Sequence, residues 1–203
     1  MQVKKDDVRN KILTVAERMF IRNGYESTSL KMIADRSYIS KSNIYRYFGS
    51  KEEIYDTLVE SARDGMKNAI NFFASHDYAG KYTPDKVEEI SLMIAKLMCS
   101  HRSGFLIILS YSEGEDYNTL KQMFTDQFLH ACPIEDDEFK TLIVNLLIVG
   151  FTDVLLKHDT EEEIHERLRL LWGYHYLGLN GVKRGLGIPV DLDAKAKDKK
   201  NKH

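Results

Sequence analysis

The stretch SYISKSNIYRYFGSKEEIY, residues 37–55, decides how the chain is read. It is poor in aliphatic residues, yet it gathers Tyr38, Tyr45, Tyr47 and Tyr55 with Lys41, Arg46, Lys51 and several small polar residues. A helix over 40–48, capped by Ser40, puts Ile44 and Phe48 on one side, facing inward. The opposite arc carries Ser42, Asn43, Tyr45 and Arg46, with Tyr47 on its flank and Lys41 in the first turn. Such an arc fits the major groove of duplex DNA, which is about 12 Å wide and admits one helix. Asn can pair bidentately with adenine and Arg with guanine. Tyr and Ser hydroxyls and Lys ammonium groups can hold phosphate oxygens and fix register. Thr28 and Lys51, each at the start of a neighbouring helix, would grip phosphate where free helix amides already favour an anion. Two other readings stand beside this one: plain packing of a tyrosine-rich amphipathic helix, and helix-turn-helix geometry in a protein that binds no DNA.

Working outward, Val8, Ile12, Val15, Met19 and Phe20 form one apolar stripe at spacings of three and four, the mark of a first helix. Asn23-Gly24 ends it, with Gly24 suited to a left-handed cap. A second helix is expected after Ser27 and Thr28, burying Leu30, Ile33 and Ala34. Downstream, Ser50-Lys51-Glu52-Glu53 reads as a capping box. It opens a long fourth helix with Ile54, Leu58, Ala62, Met66 and Phe73 inward. After a loop at 75–83, Thr83-Pro84-Asp85 opens a fifth helix. Shorter helices are expected over 102–111 and 116–131, and long ones over 135–158 and 161–184, the last opened by a second capping box of Thr160 and Glu163. Pro84, Pro133 and Pro189 interrupt no long periodic segment, and no alternating β-branched run argues for a sheet. The expected fold class is all-α. Its parts are a three-helix head over 1–50, a larger helical body over 51–188, and a charged tail over 189–203 that lacks apolar anchors and is expected to be disordered.

Composition bounds the function. The 203 residues are 43% hydrophobic and 30% charged, ordinary for a soluble protein. The net charge of −2 hides an asymmetry: residues 1–51 hold eleven Lys or Arg against five Asp or Glu, a balance of +6, and the remainder carries −8. A basic head on an acidic body points to a polyanion met by the head alone. Cys99 and Cys132 stand far apart, without zinc spacing, as reduced thiols would in the cytoplasm. The charged N-terminus is no signal peptide. The most apolar run, LIVNLLIVGF at 142–151, is shorter than the ~20 residues of a membrane span and reads as a buried helix. His158, His165 and His175 lack a metal-ligand spacing, and GVKRGLG near 181–187 lacks the phosphate-loop pattern, so neither a metal nor a cofactor is expected.

Residues 8–56 resemble the DNA-binding domain of the tetracycline-repressor (TetR) family of bacterial transcription regulators. The resemblance rests on ILTVAERMFIRNGYESTSLKMIAD followed by ISKSNIYRYFGSKEEIY. Ala16, Phe20, Gly24, Tyr25, Thr28, Ser29, Ile33, Ala34, Ile39, Ser40, Ile44, Tyr45, Tyr47, Phe48, Lys51 and Glu52 fall in the family's order and spacing. The resemblance implies DNA contacts by Thr28, Lys41, Ser42, Asn43, Tyr45, Tyr47 and Lys51; Arg46 joins them from its place on the helix arc. It departs from the family in the turn, where Ser37-Tyr38-Ile39 replaces the usual Ala-Gly-Val. A bulky left-handed residue costs about 1–2 kcal/mol, which leaves the turn open to reshaping. Ser42 and Asn43 replace the usual small residue and Thr, so the operator sequence cannot be read from the family.

For the body, the resemblance implies a small-molecule effector and a homodimer formed through the last two long helices. The apolar character of 142–151, and Leu168, Leu170, Leu171, Trp172, Leu177 and Leu179 after it, agree with dimerisation, although one monomer core could absorb them. A pocket between the fourth and eighth helices would draw on Met66, Phe73, Met93, Leu97, Phe105, Tyr111, Phe124 and Phe128, each of which also reads as plain core. The expected protein is a ligand-responsive dimeric regulator, a repressor by resemblance, whose effector shifts the fourth helix and releases a palindromic operator. The alternatives are an all-helical enzyme, for which no nucleophile–base pair is present, an activator, or a nonspecific DNA packager.

Overall fold

The computed structural model describes residues 2–75, 84–129 and 136–183. Among these the chain forms α1 (Gln2–Asn23), α2 (Leu30–Ser37), α3 (Lys41–Ile44), α4 (Lys51–Ser75), α5 (Pro84–Ser100), α6 (Arg102–Leu109), α7 (Glu115–Leu129), α8 (Asp137–Lys157) and α9 (Glu161–Lys183), with no strand among the described residues. The all-α expectation holds. The charged tail and the rest of the loop expected at 75–83 lie outside the described residues.

The head closes around Ile12, Ala16 and Phe20 of α1, Ile33 and Ala34 of α2, and Ile44 and Phe48, all buried. The Arg9 guanidinium lies over the Phe48 ring, 5.0 Å from its centroid. Gly24 ends α1 at φ +83°, its amide donating to the Phe20 carbonyl. Three local readings change. The α2 cap is Ser29, whose Oγ accepts from the Met32 amide at 3.2 Å; Thr28 precedes it. The α3 segment is helical only over Lys41–Ile44, although amides of Tyr47 and Phe48 still bond back to the Ile44 carbonyl, so tight turns carry the winding to Phe48. At α4, Ser50 Oγ accepts from the Glu53 amide as a capping box requires, but the Glu53 carboxylate reaches the Gly49 amide rather than that of Ser50.

The turn before α3 is not reshaped. Tyr38 adopts the left-handed conformation itself, at φ 56° and ψ 36°, and its amide caps α2 by bonding to the carbonyls of Ala34 and Asp35. Only backbone atoms make that cap, so glycine would serve it without strain. Tyr38→Gly is expected to stabilise the fold by roughly 1 kcal/mol, after the entropy glycine gains in the unfolded chain is deducted. For a chain of this size that raises Tm by about 2–4 °C. A Tm that falls would mean the ring itself supports the head.

Behind the head, α4 sends Ile54, Val59, Ala62 and Met66 into the core, with Leu58 half-buried beside them. The α5 and α6 axes bend by 93° at their junction, which drives α6 through the middle of the body. Gly104 permits this: a Cβ there would stand 2.7 Å from that of Ala62, closer than two carbons approach. Further along, the Phe151 ring of α8 stacks on Phe124 of α7 at 4.6 Å and meets Trp172 of α9 edge-on at 6.0 Å.

The expectation of a buried 142–151 helix is corrected in part. Val144, Leu147, Ile148, Phe151 and Leu155 of α8 are buried, but Leu142, Leu146, Val149 and Leu156 form an uncovered stripe at spacings of three, four and seven. On α9, Leu170, Tyr174 and Leu177 do the same. By length and composition α8 is also apolar enough to cross a membrane, which the shorter apolar run did not foretell. Its inner side is committed to the protein core, and Asp153 and Lys157 pair at 2.8 Å on its exposed side.

His175 lies buried on α9, and burial lowers its pKa. The folded chain therefore keeps the ring neutral where the unfolded chain protonates it, near pH 6.5. The associated stability is complete above about pH 6.5 and is lost as pH falls below it towards the folded pKa. Thermal melts at pH 7.5 and 5.5 should show a loss of Tm that is smaller in His175→Phe than in the wild type.

Candidate nucleic-acid interface

Burial of Ile44 and Phe48 turns the rest of the 40–48 segment outward. Lys41, Ser42, Tyr45 and Arg46 are exposed, and Asn43 and Tyr47 are half-buried on the flanks. Ser40 Oγ accepts from the Asn43 amide and sits 3.1 Å from Ser42 Oγ. The Lys41 ammonium lies 5.8 Å from the Tyr45 ring centroid, and that ring is 50% exposed. Six of the eight expected contact residues thus share one polar, positively charged surface.

The other two do not. Thr28 is 1% exposed, and its hydroxyl donates to the carbonyls of Gly24 at 2.8 Å and Met19 at 3.3 Å. It locks the α1–α2 turn from inside, and the exposed cap at that helix start is Ser29. Lys51 also turns inward. Its ammonium donates to the Tyr25 carbonyl at 2.9 Å and lies 3.8 Å from the Tyr25 ring centroid, pinning the start of α4 to the α1–α2 turn. Pattern reading missed both because a Thr or Lys at a helix start serves an external anion or an internal carbonyl equally well.

Directly behind this pin, a cleft of about 560 Å³ opens between head and body, lined by Tyr25, Tyr55, Arg63, Met66, Tyr111 and Asp116 among others. Tyr25 stacks on Tyr111 at 4.4 Å, and Tyr55 meets both rings edge-on. The Tyr25 hydroxyl donates to Glu52 at 3.1 Å and the Tyr55 hydroxyl to Asp116 at 3.1 Å. Arg63 donates to both oxygens of Asp116, at 2.7 and 2.8 Å, and to Asp56 at 2.9 Å. Burial, reinforced by the neighbouring carboxylates, pushes the Tyr25 and Tyr55 hydroxyls well above the usual phenol range, so both remain donors. The Asp116 hydrogen bonds push Arg63 upward, against the cost of its desolvation. Backbone and Ser50 hydrogen bonds hold the Glu52 carboxyl below its usual range.

Of the eight residues expected to line a pocket, Met66 and Tyr111 line this cleft. Phe105 and Phe124 are buried in the core, and Met93 and Leu97 pack half-buried against it. The side chains of Phe73 and Phe128 lie outside the described residues. Sequence reading missed Tyr55, Arg63 and Asp116, because Arg63 and Asp116 are 53 positions apart and meet only through the packing of α7 on α4.

Comparison with known proteins agrees with this geometry. Residues 12–58 match the family described as bacterial regulatory proteins, tetR family. Over 72 residues, 36% of this chain, it is 32% identical to the uncharacterized HTH-type transcriptional regulator YfiR of Bacillus subtilis, and the match spans 35% of that relative's length. Over 199 residues it is 22% identical to the HTH-type transcriptional repressor KstR2 of Rhodococcus jostii, covering 94% of this chain and 87% of the relative. The fold is similar to the crystal structure of a TetR-family transcriptional regulator from Bordetella parapertussis, with a TM-score of 0.55 at 20% identity over 85% of this chain and 97% of that one. Residues 12–58, the head that closes on Ile44 and Phe48, thus match the tetR family of bacterial regulatory proteins, and the chain shares its all-helical fold with a TetR-family regulator.

Proposed function

We propose that the protein is a dimeric, effector-responsive transcription regulator of the cytoplasm that binds a palindromic DNA operator and represses transcription. The head, residues 1–50, reads DNA, and the body that starts at residue 51 joins the two copies and receives the effector. The observation that carries this is the segment 41–48, whose two apolar anchors, Ile44 and Phe48, are buried while Lys41, Ser42, Tyr45 and Arg46 stand outward. Asn43 and Arg46 have the chemistry to read base edges, and Lys41, Ser42, Tyr45 and Tyr47 to hold phosphates. The uncovered stripes of α8 and α9 would pair with those of a second copy, setting two heads on successive major grooves. A small molecule entering the cleft would stack on Tyr25 or Tyr111 and compete for Arg63 or Asp116. That would shift α4 against the head and release the DNA. The enzyme alternative has no support among the relatives, which are named as transcriptional regulators.

The test is selection of randomised duplex by fluorescence anisotropy across a salt series, repeated with Tyr45→Ala and Asn43→Ala. A palindromic site should emerge, weaken steeply with salt, and lose about tenfold or more in affinity in Tyr45→Ala. Asn43→Ala should relax preference at one base pair of each half-site. Equal binding to all duplexes would instead favour a nonspecific packager. No binding at all would remove DNA from the account.

A further inference from the structure

We infer that Tyr38 and Lys11 form a further phosphate-gripping pair at the edge of the DNA-reading surface, an inference that rests on the DNA-binding reading above. Tyr38 is the one non-glycine residue with positive φ among those described. The conformation is needed only for a backbone cap that glycine would make without strain. Its ring does not repay that strain by packing, since the residue is 91% exposed. Strain retained at an exposed position where the fold gains nothing is a pointer to function.

The surroundings say which function. The Lys11 ammonium, from the exposed side of α1, lies 5.8 Å from the Tyr38 ring centroid. This repeats the geometry of Lys41 beside Tyr45 at the same distance. Two lysine–tyrosine pairs therefore flank Ser40 and Ser42, one between α1 and the turn and one from the first residue of α3 to its C-cap. Each offers a phenol hydroxyl that can donate and an ammonium group that supplies charge, the chemistry that holds a phosphate oxygen. Tyr38 offers no bidentate pattern for a base edge, and Lys11 stands on α1, outside the segment that enters the groove. The pair is thus assigned to the DNA backbone, where it fixes how α3 enters the groove.

The experiment measures the affinity of full-length Tyr38→Gly, Tyr38→Phe and Lys11→Gln for the duplex selected with the wild type, over a salt series, with a thermal melt of each. Tyr38→Gly should melt no lower than the wild type yet bind the duplex about tenfold more weakly. Tyr38→Phe keeps the strain and the ring, and should show most of the same loss. Lys11→Gln should weaken selected and unrelated duplexes alike and reduce the salt slope by about one for each head. Wild-type affinity in both Tyr38→Gly and Lys11→Gln, with the selected duplex still bound tightly by the parent, would overturn this assignment alone. If the parent itself prefers no duplex, the DNA-binding reading falls and takes the assignment with it.

Discussion

Replacing Val149 and Leu177 together by Asp is expected to leave the protein monomeric at micromolar concentration and to weaken operator binding by about 100-fold or more. In a single chain the two residues are 65% and 70% exposed, so the substitutions should cost the monomer fold within about 0.5 kcal/mol. Their effect falls on whatever covers them. Leu142, Leu146, Val149 and Leu156 on α8, with Leu170, Tyr174 and Leu177 on α9, make two apolar stripes that the described residues of one copy leave uncovered. Burying one Leu or Val side chain fully gains about 1.5–3 kcal/mol. In a twofold interface each substitution occurs twice, and each places a carboxylate where solvent is excluded, at several kcal/mol per ion. That exceeds what a micromolar dimer can lose, since its whole association free energy is about −8 kcal/mol. DNA binding then suffers because the second head no longer arrives at the high local concentration set by the first. Light scattering on the eluting protein measures the mass, and anisotropy measures the affinity. A variant that keeps the dimer mass would place the interface elsewhere and leave the two stripes for another partner.

How much of this could be read in the sequence follows from how local each determinant is. Capping is decided within three or four residues, so Ser40, Ser50 and Thr160 were legible, and Asp136 turned out to cap α8 one residue from the expected start. The same locality explains the slip at α2, where Ser27, Thr28 and Ser29 are all competent caps and only packing decides that Thr28 turns inward. The length of α3 was overestimated because the apolar spacing of Ile44 and Phe48 is satisfied by tight turns as well as by a regular helix. Periodicity showed that α8 is apolar but could not tell a helix buried on all sides from one left half-covered. The cleft was illegible for a different reason. Its polar groups come from the α1–α2 turn, α4, the α6–α7 turn and α7, and no spacing along the chain announces that Arg63 will meet Asp116.

Those two residues give the second large expectation. Asp116→Ala should destabilise the fold by about 2 kcal/mol and loosen the head on the body. Asp116 is the shared acceptor for the Tyr55 hydroxyl and for two Arg63 donors. Removing it strands a buried hydroxyl at once. Arg63 keeps Asp56 and some contact with water, which holds the cost below that of a fully buried ion pair. For a chain of this size the melt should shift down by about 4–8 °C. The double variant Arg63→Met with Asp116→Leu removes the unpaired charge along with its partner, and should recover part of that loss. Stability and coupling separate at this point. In the double variant the aromatic contact of Tyr25 with Tyr111 remains, but the polar tie from α4 and Tyr55 to α7 is gone. Operator affinity should therefore stay low even as the melt recovers. If affinity recovers in step with Tm, Arg63 and Asp116 serve only to hold the body together, and the cleft is not where a small molecule would govern the heads.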